Sequence, residues 1–110
     1  MKQRNTSGNW RLSEVTRQLI NWYGDKYRVA GNDSHVGTTG GCSGTIHDDK
    51  LNRKIWFSTY HMDMDGKISL MPVLSDDMEP TPTLGRLNYA TPKDFPNKVR
   101  NLFIHGKFGK

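Results

Sequence analysis

The sequence predicts an α+β fold: an N-terminal helix, a three-stranded antiparallel meander and a C-terminal helix, joined by long Gly-rich and Pro-rich loops. Three observations carry this expectation. Apolar residues recur at helical spacing near both ends of the 110-residue chain. In the middle, Ile55, Phe57 and Thr59 alternate with Trp56, Ser58 and Tyr60 at the two-residue period of a strand. Asp65-Gly66 then supplies a positive-φ turn that would reverse the chain into a hairpin.

Residues 1–9 are polar and bear Gly, Ser and Asn, which predicts a flexible start. The first helix is expected from about residue 10 to residue 23. Leu12, Val15, Leu19 and Trp22 form its apolar stripe, Thr16, Ile20 and Tyr23 widen it, Ser7 or Asn9 would cap it and Gly24 would stop it. Lys26 to Val29 has the makings of a short strand. Residues 30–44 hold five glycines and almost no large apolar group, so they read as a long flexible loop. Thr45-Ile46-His47 is the centre of the next strand, and Asp48 to Arg53 is a polar turn into the hairpin.

Residues 75–90, with Asp76, Asp77, Glu79, Pro80 and Pro82, follow neither period and read as an extended connector. In the last helix, Pro96 belongs to the first turn, Val99, Leu102 and Phe103 make the apolar face, and Gly106 ends it. Both helices would pack on the Ile55/Phe57/Ile68/Leu70 side of the sheet and leave the other side open to water. Double-stranded RNA-binding domains share this order of elements. Their loop histidine and lysine cluster have no counterpart here, so the likeness is one of topology alone.

Length and composition predict one domain, residues 1–110, with a small core, since the hydrophobic share is only 34%. Cys42 stands alone, which excludes an internal disulfide and points to a reducing, cytoplasmic setting. No apolar run approaches the length needed to span a bilayer, so no membrane partner is expected. The net charge of +5 is unevenly spread: acidic side chains dominate residues 61–79, while basic ones dominate the segments on either side. Such a surface favours polyanions, and it equally serves solubility.

Two clusters follow from this layout. If Ile55 and Phe57 point inward, Trp56 and Tyr60 point outward beside Arg53, Lys54 and Lys67, an arrangement suited to stacking bases next to phosphate-binding cations. At the C-terminus, Lys98, Arg100, His105, Lys107 and Lys110 are mixed with Phe103 and Phe108. Cations there also complement the carbonyl end of a helix.

Other patterns are weaker. His61 to Ile68 carries the Asp-x-Asp-Gly spacing of a calcium loop, but histidine stands at its first position and Pro72 where the bidentate glutamate belongs. Gly37 to Gly44 has the glycines of an anion-binding nest without the Lys-Ser/Thr of a P-loop. His35 or His47 with Asp33, Asp48 or Asp49, and Cys42 beside His47, are the residues from which a hydrolytic site would be built. No catalytic residue, metal or cofactor is assigned.

The leading expectation is a small basic protein that binds RNA or DNA through Arg53, Lys54, Trp56, Tyr60, Lys67, Lys98, Arg100 and Lys107. A protein-binding inhibitor or adaptor anchored by Trp56, Tyr60, Met62 and Met64 is the alternative, and a His/Asp-dependent hydrolase or nuclease the third reading.

Overall fold

A computed structural model describes residues 9–34, 40–74 and 84–108. In chain order the elements are α1 (Leu12–Tyr23), β1 (Arg28–Ser34), β2 (Gly41–Asp48), β3 (Arg53–Ser58), the single turn α2 (Met62–Asp65), β4 (Ile68–Pro72), β5 (Asn88–Ala90) and α3 (Phe95–His105). The α+β class is as expected, but the sheet has five strands rather than three. They form one antiparallel meander in the order β1-β2-β3-β4-β5. The strand count also separates this fold from the double-stranded RNA-binding topology. No described helix is long and apolar enough to cross a membrane.

Pleating sends Cys42, Ile46, Ile55, Phe57, Ile68, Leu70 and Ala90 to one face, where they are buried. Both helices lie on that face: α1 packs on β1 and β2, and α3 on β3 and β4. Val15 and Leu19 of α1, and Phe95, Val99, Leu102 and Phe103 of α3, complete the core. Burying side chains of this size contributes about 1.5–3 kcal/mol each. The stripe on α1 is narrower than its sequence suggests, since Ile20 and Trp22 are each more than half exposed, at 54% and 57%.

An aromatic column joins the end of α1 to α3. Tyr23 meets Tyr27 edge-on with centroids 5.2 Å apart, Tyr27 stacks on Phe103 at 5.0 Å, and Phe103 stacks on Phe108 at 6.1 Å. Each such pair adds about 0.5–1.5 kcal/mol beyond its buried area. Phe103 and Phe108 are therefore structural, not ligand platforms set among the C-terminal cations.

The helix ends follow local chemistry. Gly24, with φ 65°, donates its N–H to the Ile20 carbonyl and stops α1. The Asn9 side chain does not cap the start of α1. Instead the Leu12 N–H donates to Asp33 Oδ1, 2.7 Å away on β1. Asn9 is buried and bonded rather than part of a flexible start, and Ser7 lies outside the described residues. Pro96 sits in the first turn of α3, and the Gly106 N–H closes its last turn on the Leu102 carbonyl.

Three further segments fold differently from the expectation. First, residues 30–44 are not one loop: β1 runs to Ser34 and β2 starts at Gly41. Gly31 and Gly44 face each other across the ladder so closely that a Cβ on Gly44 would lie 2.0 Å from the Ala30 carbonyl oxygen. These glycines serve close approach rather than mobility. Second, Asp65-Gly66 is not a two-residue hairpin. β3 ends at Ser58, and α2 intervenes before Gly66, at φ 71°, caps it in the left-handed region. Third, the expected connector 75–90 contains β5 and a Val73–Leu84 bridge. Asp76, Asp77, Glu79, Pro80 and Pro82 fall outside the described residues. The polar turn at 48–53 is present, with the Leu51 N–H on Asp48 Oδ1 and Asn52 at φ 55°.

Candidate nucleic-acid interface

The side of the sheet away from the helices is assembled by register. Thr45, Trp56 and Met71 form one cross-strand row; Asn32, Ser43, Ser58, Ser69 and Tyr89 form the next; Arg28, His47 and Lys54 form a third. Trp56 occupies the central strand of this face and is half-buried among its neighbours. Tyr60 continues the outward direction beyond the end of β3 and packs over Gly41, where a Cβ would come within 2.8 Å of its ring. It is therefore held in place although it lies outside the strand.

Between Trp56 and Tyr89 lies a depression of about 420 Å³, floored by Ser58 and Ser69, with His61 and Asp65 at its rim. The single turn of α2, from its N-cap residue His61 to Asp65, brings both rim residues there. Asp65 is oriented by the Lys67 N–H, which donates to its Oδ1 at 3.0 Å. An aromatic wall, hydroxyls on the floor and a carboxylate at the edge can take a flat, hydrogen-bonding ring.

The charges on this face are mixed. Arg28 is engaged with Asp49 through two hydrogen bonds of 3.1 and 2.9 Å, and its guanidinium holds the Asp49 carboxyl below its ordinary range. The pair is solvent-exposed and adds little stability. Burial, with the charges of Arg28 and Lys54 beside it, lowers the pKa of His47, and its Nε2 lies 2.8 Å from Thr45 Oγ1. Lys54 is half-buried and Lys67 exposed.

The eight residues picked from sequence do not form one surface. Lys54, Trp56, Tyr60 and Lys67 lie on or beside the open face. Arg53 does not flank Trp56: it shares the parity of Ile55 and turns to the helix side, where it donates to the Phe103 carbonyl and lies 4.9 Å from the Phe108 ring centroid. Lys98 and Lys107 line a separate groove of about 640 Å³ between α3 and the chain entering β5. Arg100 is exposed on α3, close enough for its charge to act on Tyr23 and Tyr27. Tyr89, Leu87 and Arg86 were missed because their segment read as connector, although Arg86 to Ala90 alternates with the period of a strand.

The remaining constellations separate. Cys42 is fully buried on the helix side, its thiol pushed up by desolvation, while His47 faces the other way, so the two do not pair. Thr59 Oγ1 accepts the Cys42 N–H and donates to the Trp10 carbonyl. Asp48 is buried and occupied by its turn; Asp33 caps α1. Gly41 to Gly44 belong to β2, so their peptides serve the ladder rather than a nest; Gly37, Thr38, Thr39 and His35 lie outside the described residues. Asp63 gives its N–H to Asn9 within α2 rather than within a calcium loop. Among the described residues no three His, Cys, Asp or Glu side chains gather as metal ligands would.

No protein-family model matches the chain, and no curated protein or solved structure is significantly similar to it.

Proposed function

We propose that this protein binds nucleic acid by stacking bases on the open sheet face. The observation that carries the reading is the position of Trp56, central on the face that neither α1 nor α3 covers, with Tyr89 across a depression of about 420 Å³. Stacking on one aromatic contributes about 1–3 kcal/mol per base, and Lys54 and Lys67 add attraction to phosphate that salt weakens.

The test is a salt titration of labelled RNA and DNA oligonucleotides against the purified protein. Affinity should fall between roughly 50 and 200 mM salt, and Trp56→Ala combined with Lys54→Ala should weaken binding about tenfold or more. Undiminished binding by that double variant overturns the reading.

A second reading, a protein-binding adaptor, draws on the mixed charge of the face and on Met64, which is 79% exposed beside it. Paired opposite charges and exposed thioethers suit a protein surface. One stoichiometric protein partner retained after nuclease treatment, with no affinity for oligonucleotides, is the result that would favour it.

A further inference from the structure

The chain from Arg86 to Ala90 joins two cavities that lie on opposite sides of the sheet. Leu87 and Tyr89 line the depression on the open face, whereas Arg86 and Asn88 line the groove against α3. The cause is pleating: successive residues of an extended chain point to opposite faces. β5 is the last strand of the sheet, so the two cavities flank its edge.

The groove differs from the open face in charge. Arg86, Lys98 and Lys107 line it together with His105 and two asparagines, and no carboxylate belongs to its described lining. On the open face, by contrast, Asp49 engages Arg28 and Asp65 stands at the rim. The stacking groups thus lie on one side of the edge, where Lys54 and Lys67 share the face with carboxylates, and a cluster of cations with no carboxylate in its described lining lies on the other.

We infer that the ligand is a single strand of nucleic acid that crosses the β5 edge, bases on the Trp56–Tyr89 side and phosphates in the Arg86–Lys98–Lys107 groove. This rests on the nucleic-acid reading above and adds to it the strandedness of the ligand and a second contact region. A duplex does not fit such a path. Its persistence length of about 500 Å forbids folding round an edge, on a molecule whose extents are 47 × 27 × 20 Å. A single strand bends freely and leaves its bases unpaired for stacking.

The experiment compares wild type, Arg86→Ala/Lys98→Ala and Trp56→Ala against labelled single strands of about 4 and about 12 nucleotides and a duplex of the longer one. All three proteins are first shown by urea unfolding to be folded. The groove variant should bind the short strand like wild type. It should lose about tenfold in affinity for the long one, with the salt slope reduced by about one to two. Trp56→Ala should weaken both. The duplex should bind no better to wild type than the long strand binds to the groove variant.

Equal binding of the long strand by the groove variant, with Trp56 dependence intact, overturns the edge crossing and leaves the open-face reading standing. Binding that ignores Trp56 at both lengths removes that reading as well. Competition by poly-glutamate as strong as that by a strand of equal charge assigns the groove to an acidic protein and also overturns the proposal.

Discussion

Arg53 and Phe103 are tied across the molecule: the guanidinium at the start of β3 donates to the carbonyl of Phe103 in the last turns of α3 and lies against the Phe108 ring. A cation is thereby placed at the carbonyl end of the helix, where the aligned peptide dipoles are negative.

Arg53→Ala should destabilise the fold by about 1.5–3 kcal/mol, the usual worth of a charge-assisted hydrogen bond. Arg53→Lys should restore only part of it, since a lysine cannot stack on the ring as a planar guanidinium does. Urea unfolding measures both, and an Arg53→Ala midpoint equal to wild type would remove the tie from the stability argument.

Asn9 uses its whole amide. Its Nδ2 donates to the carbonyls of Gly40 and Tyr60 at 2.9 and 3.0 Å, and its Oδ1 accepts the Asp63 N–H at 2.7 Å. Asn9→Ala strands two carbonyls and one N–H and should cost roughly 2–4 kcal/mol. Asn9→Asp should cost at least as much, because a carboxylate cannot donate and faces two carbonyl oxygens. Thermal melts of the two variants check the order.

Two glycines should respond very differently to alanine. At Gly44 a Cβ would lie 2.0 Å from the Ala30 oxygen and 2.6 Å from the Gly31 Cα, so β1 and β2 must part. At Gly66 the space is open and only φ 71° is unfavourable, at about 1–2 kcal/mol. Gly44→Ala should therefore unfold well before Gly66→Ala in urea. Similar midpoints would argue against the close pairing of β1 and β2.

Tyr27 predicts a loss of stability in alkali. Burial, with the Asp48 charge as a lesser cause, pushes its pKa up to about 12 from the ordinary 10. The folded state keeps the phenolic proton after the unfolded chain has lost it, so stability is full below pH 10 and falls between pH 10 and about 12. The slope is about 1.4 kcal/mol per pH unit. Urea midpoints measured across that window should fall less in Tyr27→Phe, and an identical fall in the variant would reject this cause.

Much of this architecture was legible from side chains. Ile55, Phe57, Ile68 and Leu70 alternate strongly enough to settle which way β3 and β4 face, and that places Trp56 outside. Gly24, Pro96 and Gly106 mark the helix ends because each acts on the backbone beside it. What misled was composition. The Gly-rich stretch 30–44 looked mobile because it has little to bury, yet its described strand residues, 30–34 and 41–44, are held by peptide groups, which every residue carries alike.

The sequence alone determined the class of fold, the inward and outward faces of the central strands, the end of α1 and both ends of α3, since these depend on neighbours a few residues away. Only tertiary structure decided that β1 runs on to Ser34 and that β5 exists, that Arg53 belongs to the helix side, and that Lys98 and Lys107 share a groove with Arg86 rather than a surface with Trp56. Edge strands bury little and pair through backbone alone, and a long cation is positioned by whichever carbonyl or ring the folded chain brings within its reach.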